Sequence, residues 1–163
     1  MYFLKSVILS GFFLLTLSSC NQPTSKTQAP ATATETAPSL TIDGNYVTAD
    51  YDKRAKGFDW VGVTIKSEQD SSITIQVRSR ADNKKPTCTL DKNASKLKEG
   101  VYQASLQGKN VLFTFKGTSL TIATEKPEDA GVLNYYCSGG GTLVGTFSRI
   151  SEALDATQVD SLK

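Results

Sequence analysis

The chain has 163 residues, a formal net charge of +2 and no histidine. Both signs of charge are spread along the chain, which argues against a nucleic-acid partner. Without histidine, the chain lacks the commonest metal ligand and the commonest general base. The sequence also shows no zinc, calcium-loop, phosphate-loop or nucleophile-elbow spacing. We therefore expect no metal, no cofactor and no enzymatic activity.

Residues 1–19 have the composition of a secretory leader. Lys5 precedes an apolar run over residues 7–17, which is shorter than the roughly 20 residues needed to span a bilayer. The run ends with Leu17, Ser18, Ser19 and Cys20. This ending resembles the lipobox of bacterial lipoproteins, and the alternative is an ordinary signal peptide with a chance cysteine.

The resemblance implies that the chain is cleaved before Cys20 and that this cysteine carries the lipid. Two or three acyl chains anchor a protein stably in a membrane, so the expected partner at this end is the membrane of a bacterial cell envelope. Asn21 follows the cysteine. In a Gram-negative cell this implies the outer membrane, with the protein facing the periplasm.

Residues 20–39 form the next segment, which is rich in Thr, Ala, Pro, Ser and Gln. Pro23, Pro30 and Pro38 oppose a regular helix or a central strand, and the segment holds too little apolar surface to offset the entropy of ordering it. We therefore expect a disordered tether between the lipidated cysteine and a single domain over residues 40–150.

The domain alternates apolar and polar residues almost throughout, as in Ile73, Ile75 and Val77. This period of two predicts an all-β fold of eight or nine short antiparallel strands, as a closed meander barrel or, as the alternative, a sandwich. Residues 151–163 are expected to form a short helix or a tail. The predicted strands are residues 44–49, 58–66, 72–80, 87–90, 100–106, 109–116, 119–124, 133–137 and 142–150.

Two cysteines remain inside the domain, Cys88 and Cys137. An even pair in an exported chain favours a disulfide over two separate buried thiols. Directly after the second cysteine come Ser138, Gly139, Gly140 and Gly141. Because glycines let another surface approach the backbone closely, this stretch is a candidate binding loop, and a plain flexible connection is the alternative.

Two further groups are candidate surfaces. The first is aromatic, with Tyr46, Phe58 and Trp60 as a binding surface, unless Trp60 plugs one end of the barrel. The second is a basic patch that suits an anionic headgroup or an acidic partner, unless it is only a solvated rim that discourages edge pairing. Its residues are Arg78, Arg80, Lys84 and Lys85.

These features predict a lipid-anchored binding module whose protein or envelope ligand is not named by the sequence. Gly44, Asn45 and Tyr46 resemble the opening of lipocalin-type barrels, which implies a ligand inside the barrel. Ser138 and Gly139 are similar to the Ser-Gly loop of membrane-bound lysozyme inhibitors, which are small lipid-anchored barrels with a disulfide. That second resemblance implies a protein inhibitor, and a structural envelope lipoprotein is the third alternative.

Overall fold

The computed structural model describes residues 41–69, 71–79 and 88–155. They form eight antiparallel strands and two short 3₁₀ helices, η1 (Ala49–Lys56) and η2 (Pro127–Asn134). The strands are β1 (Gly44–Val47), β2 (Val61–Gln69), β3 (Ser72–Ser79), β4 (Leu90–Lys98), β5 (Val101–Leu106), β6 (Lys109–Lys116), β7 (Ser119–Thr124) and β8 (Gly145–Ile150).

Each strand pairs with the next one along the chain, and β8 pairs with β1 to close the barrel. The closing ladder aligns Tyr46 with Arg149 and Val47 with Ser148. The predicted meander barrel is therefore confirmed, and the sandwich alternative is excluded. Closure also leaves no free edge strand between β1 and β8, where an open sheet would have one.

The alternation in the sequence places one face of each strand in the barrel interior. Ile73, Ile75 and Val77 of β3 are fully buried, and Phe113 of β6 is buried opposite them in the same core cluster. The polar residues between them face outward. Between β5 and β6 the chain reverses through Gln107 and Gly108, both with positive φ, which matches the right-handed twist of the two strands it joins.

A second, smaller core lies between η1 and the barrel wall. Tyr51 and Trp60 pack edge to face, with ring centroids 4.9 Å apart, and Val47, Ile150 and Leu154 complete the cluster. The Tyr51 hydroxyl accepts a hydrogen bond from the backbone N–H of Asp155. Residues 151–155 form no helix and lie against η1 through these contacts.

Gly62 of β2 lies beneath this second core. A Cβ atom at this position would come within 2.8 Å of a Leu154 methyl carbon and 3.2 Å of the Trp60 ring. The absence of a side chain therefore lets the C-terminal segment and the tryptophan pack directly on the strand.

Four of the strand predictions differ from the structure by three residues or more. Residues 58–60 precede the strand that begins at Val61, and residues 142–144 precede the one that begins at Gly145. The short strand expected over residues 87–90 is β4, which runs on to Lys98. Only Leu90 and Ala94 of β4 are buried, so most of this strand lacks the apolar alternation from which its length could be predicted. Residues 133–137 are not a strand, because the chain there leaves η2 and makes a single bridge to Cys88.

The antiparallel order sorts the connections onto two ends of the barrel. The proximal end is where the chain begins β1, and it also carries the β4–β5 and β6–β7 turns. The other end, which we call the capped end, carries η1, the β5–β6 turn and the long β7–β8 connection that contains η2. Leu133 and Leu143 of that connection are buried in the barrel core, so the connection covers this end.

Candidate functional site

The most distinctive feature of the capped end is a loop that leaves and re-enters the core at one point. Leu133 and Leu143 are both fully buried, and the backbone N–H of Leu143 donates to the carbonyl of Leu133 at 3.3 Å. The chain between them is held at its base by two apolar side chains and a hydrogen bond. This is the geometry of an Ω-loop, and we call it the 133–143 loop.

The middle of the 133–143 loop is attached to the barrel by the two cysteines. The sulfur atoms of Cys88 and Cys137 lie 2.09 Å apart, at the distance of a disulfide bond. Next to it, the backbone N–H of Thr89 donates to the carbonyl of Tyr136 at 2.9 Å. The loop is therefore attached at its base and again near its centre.

The barrel wall accommodates this attachment because β4 and β5 separate towards the capped end. Their ladder covers only residues 95–98 of β4 and 101–103 of β5, so residues 90–94 pair with β3 alone. Beside the start of β4, Cys88 forms an antiparallel bridge with Cys137. The half-buried side chains of Val132, Tyr136 and Cys137 pack on the core, so the loop completes the wall where β5 has diverged.

The outer part of the loop presents an aromatic side chain and exposed backbone. Tyr135 is 72% exposed, and its ring contacts that of Tyr136 edge to face at 5.4 Å. Ser138, Gly139 and Gly140 are exposed, and both of these glycines have positive φ (64° and 82°). Glycine is favoured at these two positions because left-handed backbone costs other residues roughly 1–2 kcal/mol.

No charged side chain occurs between residues 133 and 143. On the same connection, Asp129 of η2 forms an ion pair with Lys109 of β6 at 2.8 Å. The hydrogen bond to Asp129 raises the pKa of Lys109, and the carboxylate charge adds to this effect. The surface of the loop is thus suited to apolar contacts and hydrogen bonds.

Of the three residues of the expected aromatic surface, the structure leaves only Phe58 exposed. Tyr46 lies in the barrel core and Trp60 in the second core, and each is 1% exposed. Their burial corrects the expectation, because both side chains are covered by packing. Trp60 covers the outer wall of the barrel beneath η1 and does not plug its end. Lys53 lies over the Phe58 ring at 5.1 Å.

The basic patch is only partly within the described residues. Arg78 is buried, donates to the carbonyl of Val77 and forms a 3.0 Å ion pair with Asp91 of the neighbouring strand. This arrangement makes Arg78 a cross-strand tie and removes it from an exposed patch. Arg80, Lys84 and Lys85 lie outside the residues that the structure describes, as does Cys20.

The lipocalin resemblance implies a ligand inside the barrel, which depends on how the interior is packed. An interior ligand needs space among the inward-facing side chains, yet these side chains belong to one core cluster and are at most 5% exposed. We infer that protein atoms fill the interior at these positions. The side chains are Ile73, Ile75, Val77, Phe113 and Phe115.

A surface cleft of about 530 Å³ lies at the proximal end, beside Arg149. The guanidinium donates to the backbone carbonyls of Thr41 and Asp43, so it ties the start of the domain to β8. Tyr46 donates its hydroxyl to the carbonyl of Ile42 at 2.7 Å, and burial raises the pKa of this tyrosine. Arg149 is thus occupied in joining residues 41–43 to β8, and the Tyr46 hydroxyl in a bond within the segment that leads into β1.

A second cleft, of about 490 Å³, lies over the outer face of β3 and β4. Among residues 41–69, 71–79 and 88–155, no three Cys, Asp or Glu side chains are grouped to hold a metal ion. Within the same described ranges, no helix has both the length and the hydropathy required to cross a membrane.

The glycines of the loop were recognisable in the sequence, whereas the exposure of Tyr135 and the two leucine anchors were not. Residues 133–137 were predicted as a strand. Pro127 and Gly131 just before them, and two adjacent tyrosines that cannot both face inward on a strand, were the signals of an irregular segment. Comparison of the chain with protein-family models, with curated proteins and with solved structures returned no significant match.

Proposed function

We propose that this chain is a lipid-anchored protein of the bacterial envelope that acts as a non-enzymatic binding module, and that the 133–143 loop is its contact surface for a partner protein. The observation that carries the proposal is a largely exposed tyrosine, Tyr135, on a loop that two buried leucines and a disulfide hold in place. An exposed aromatic side chain on a restrained backbone is typical of a binding surface.

The physical advantage of the arrangement is preorganisation. A flexible loop loses conformational freedom when it binds, and each immobilised side chain costs about 0.5–1.5 kcal/mol of binding free energy. The 133–143 loop is already ordered by its attachments to the barrel, which lowers this cost. Tyrosine adds a large contact area and a hydroxyl at the expense of only two side-chain torsions, and it is enriched among the residues that dominate interfaces.

The membrane attachment in this proposal rests on the leader. Residues 17–20 resemble a lipobox, and the composition of residues 20–39 suits a flexible tether. A tethered module samples the volume next to its membrane, so its partner is expected in the same compartment. Lipidation of Cys20 is tested by mass spectrometry of the protein purified from membranes, since a Cys20→Ser variant would lack the lipid mass and remain in the soluble fraction.

The contact surface is tested by co-purification of the full chain from its own cell envelope. We compare the native protein with Tyr135→Ser and, as a matched control, Leu97→Ser. Leu97 is 55% exposed, and its position near the end of β4 places it at the opposite end of the barrel. We expect a partner that co-purifies with the native and Leu97→Ser proteins and is lost with Tyr135→Ser. Equal recovery with all three proteins would contradict the proposed surface.

Inhibition of lysozyme-type enzymes is a second candidate, supported by a specific observation. Ser138 and Gly139 lie exposed on a disulfide-attached loop at the end of a small barrel, as the resemblance to membrane-bound lysozyme inhibitors implies. In this interpretation the loop enters the cleft of the enzyme, where glycine permits close approach of the backbone.

The inhibitor function is tested with a panel of lysozymes and the purified full chain. We expect slower cell-wall hydrolysis with the native protein and no effect with Ser138→Trp, because the indole would block insertion of the loop. Thr146→Trp, on the outer face of β8, is the control and should still inhibit. An unchanged rate with every enzyme in the panel would exclude this candidate and leave the wider binding function in place.

A further inference from the structure

The 133–143 loop is attached to the barrel by buried apolar side chains and by a disulfide that can be reduced. Its base is held by Leu133 and Leu143, whose side chains are buried in the core. Its centre is held by the disulfide between Cys88 and Cys137, by one backbone hydrogen bond from Thr89 to Tyr136, and by the packing of the half-buried Tyr136 and Cys137 on the core. Of these contacts, only the disulfide can be broken by a chemical reaction that leaves the rest of the protein unchanged.

The barrel does not depend on this disulfide for its closure. Each strand is paired antiparallel with its neighbours in the closed barrel, including the ladder between β8 and β1, and none of these ladders contains Cys88 or Cys137. The disulfide lies outside the named strands, where it joins the residue pair Cys88 and Cys137. Breaking it therefore removes a restraint on the loop and leaves every strand ladder intact.

We propose that the Cys88–Cys137 disulfide is a redox switch for the binding surface: reduction releases the centre of the 133–143 loop, and the barrel stays folded. This inference rests on the proposed function and adds its regulation. The reductant is a dithiol. In the oxidised protein Tyr135 lies on an ordered loop. In the reduced protein the 133–143 loop must be ordered at each binding event, which weakens binding.

The reaction balances as a thiol–disulfide exchange. One thiolate of the dithiol attacks Sγ of Cys137, which is half-buried, whereas Cys88 is fully buried. The sulfur–sulfur bond breaks, and Cys88 leaves as a thiolate that takes up a proton. The second thiol of the reductant then displaces Cys137, so the dithiol is oxidised to a cyclic disulfide and the protein holds two free thiols.

The release of the loop is measured by limited proteolysis of the full chain with chymotrypsin, with and without dithiothreitol. Cleavage after Tyr135 and Tyr136 should accelerate by about tenfold or more on reduction, because a locally opened segment is cut in proportion to the population of its open form. Phe58 is 46% exposed on a different connection of the same end and serves as the internal control. Its cleavage rate should stay unchanged.

Trp60 reports on the barrel in the same samples, because it is the only tryptophan and is 1% exposed. Its fluorescence should be the same before and after reduction. A double variant, Cys88→Ala with Cys137→Ala, should behave like the reduced protein and ignore dithiothreitol. If this variant does not fold, reduction of the native chain still decides the question.

The outcomes separate the switch from the function on which it rests. Loss of Tyr135-dependent co-purification on reduction, together with faster cleavage in the loop, supports the switch. Unchanged cleavage, or a shift of Trp60 fluorescence that shows the barrel unfolding, overturns the switch and leaves the proposed function standing. Absence of Tyr135-dependent co-purification in the oxidised protein contradicts the proposed function, and the switch falls with it.

Discussion

The packed interior of the barrel makes a quantitative prediction for Phe113→Ala. Phe113 is fully buried at the centre of β6 and is aligned with Tyr102 on one neighbouring strand and Ile122 on the other. Truncating a buried phenylalanine typically lowers the free energy of unfolding by about 3–5 kcal/mol, which includes the cost of the cavity left behind. That is a large share of the roughly 5–15 kcal/mol by which native domains are stable.

The measurement is urea denaturation followed by circular dichroism and by the fluorescence of Trp60. For a slope of about 2 kcal/mol per molar urea, a loss of about 4 kcal/mol lowers the denaturation midpoint by about 2 M. The control is Leu97→Ala, whose side chain is exposed and whose change in unfolding free energy should stay within about 0.5 kcal/mol. A loss below about 1 kcal/mol for Phe113→Ala would refute the packed interior and reopen the possibility of a ligand inside the barrel.

Three further predictions concern the proximal end and the loop. Arg149→Met removes two hydrogen bonds to backbone carbonyls and should lower the unfolding free energy by about 2 kcal/mol, measured by urea denaturation. Burial raises the pKa of Tyr46 above 10.0, so the folded state favours the neutral phenol. The contribution of Tyr46 to the free energy of unfolding is present below the pKa of the unfolded state and is lost as the pH rises through the pKa of the folded state. Urea-denaturation midpoints measured between pH 8 and 11 should therefore fall less steeply for Tyr46→Phe than for the native chain. Gly140→Ala forces alanine to a φ of 82° and should lower the free energy of unfolding by about 1 kcal/mol. The control is Gly131→Ala, which also meets open space but has no positive φ and should leave the stability unchanged. Equal melting temperatures for the two variants would contradict this explanation.

The architecture was predictable because the hydrophobic pattern of most strands is simple. In β3 and β6 every second residue is apolar and faces the core, so type and boundaries follow from the period. In β4 the pattern fails. Only two of its side chains are buried, and the ladder changes partner from β3 to β5 along its length, so neighbouring strands impose a structure that its own residues do not indicate.

The candidate site was predictable only in part, for a different physical reason. The glycines after Cys137 mark unusual backbone in the sequence, and the disulfide was expected from an even pair of cysteines in a chain whose beginning resembles that of a lipoprotein. The exposure of Tyr135 and the burial of Trp60 depend on which elements pack over them. Trp60 is covered by η1 and by Leu154, which is far away in the sequence, so no local pattern distinguishes the buried aromatic from the exposed one.

The most direct test of the contact surface is photo-crosslinking in intact cells. A photoreactive phenylalanine analogue replaces Tyr135 in the full chain, and in a second protein it replaces Leu97 at the opposite end of the barrel. We expect a discrete crosslinked product from position 135 and none from position 97. The absence of any product from position 135, or the same product from both positions, would contradict the assignment of the 133–143 loop as the binding surface.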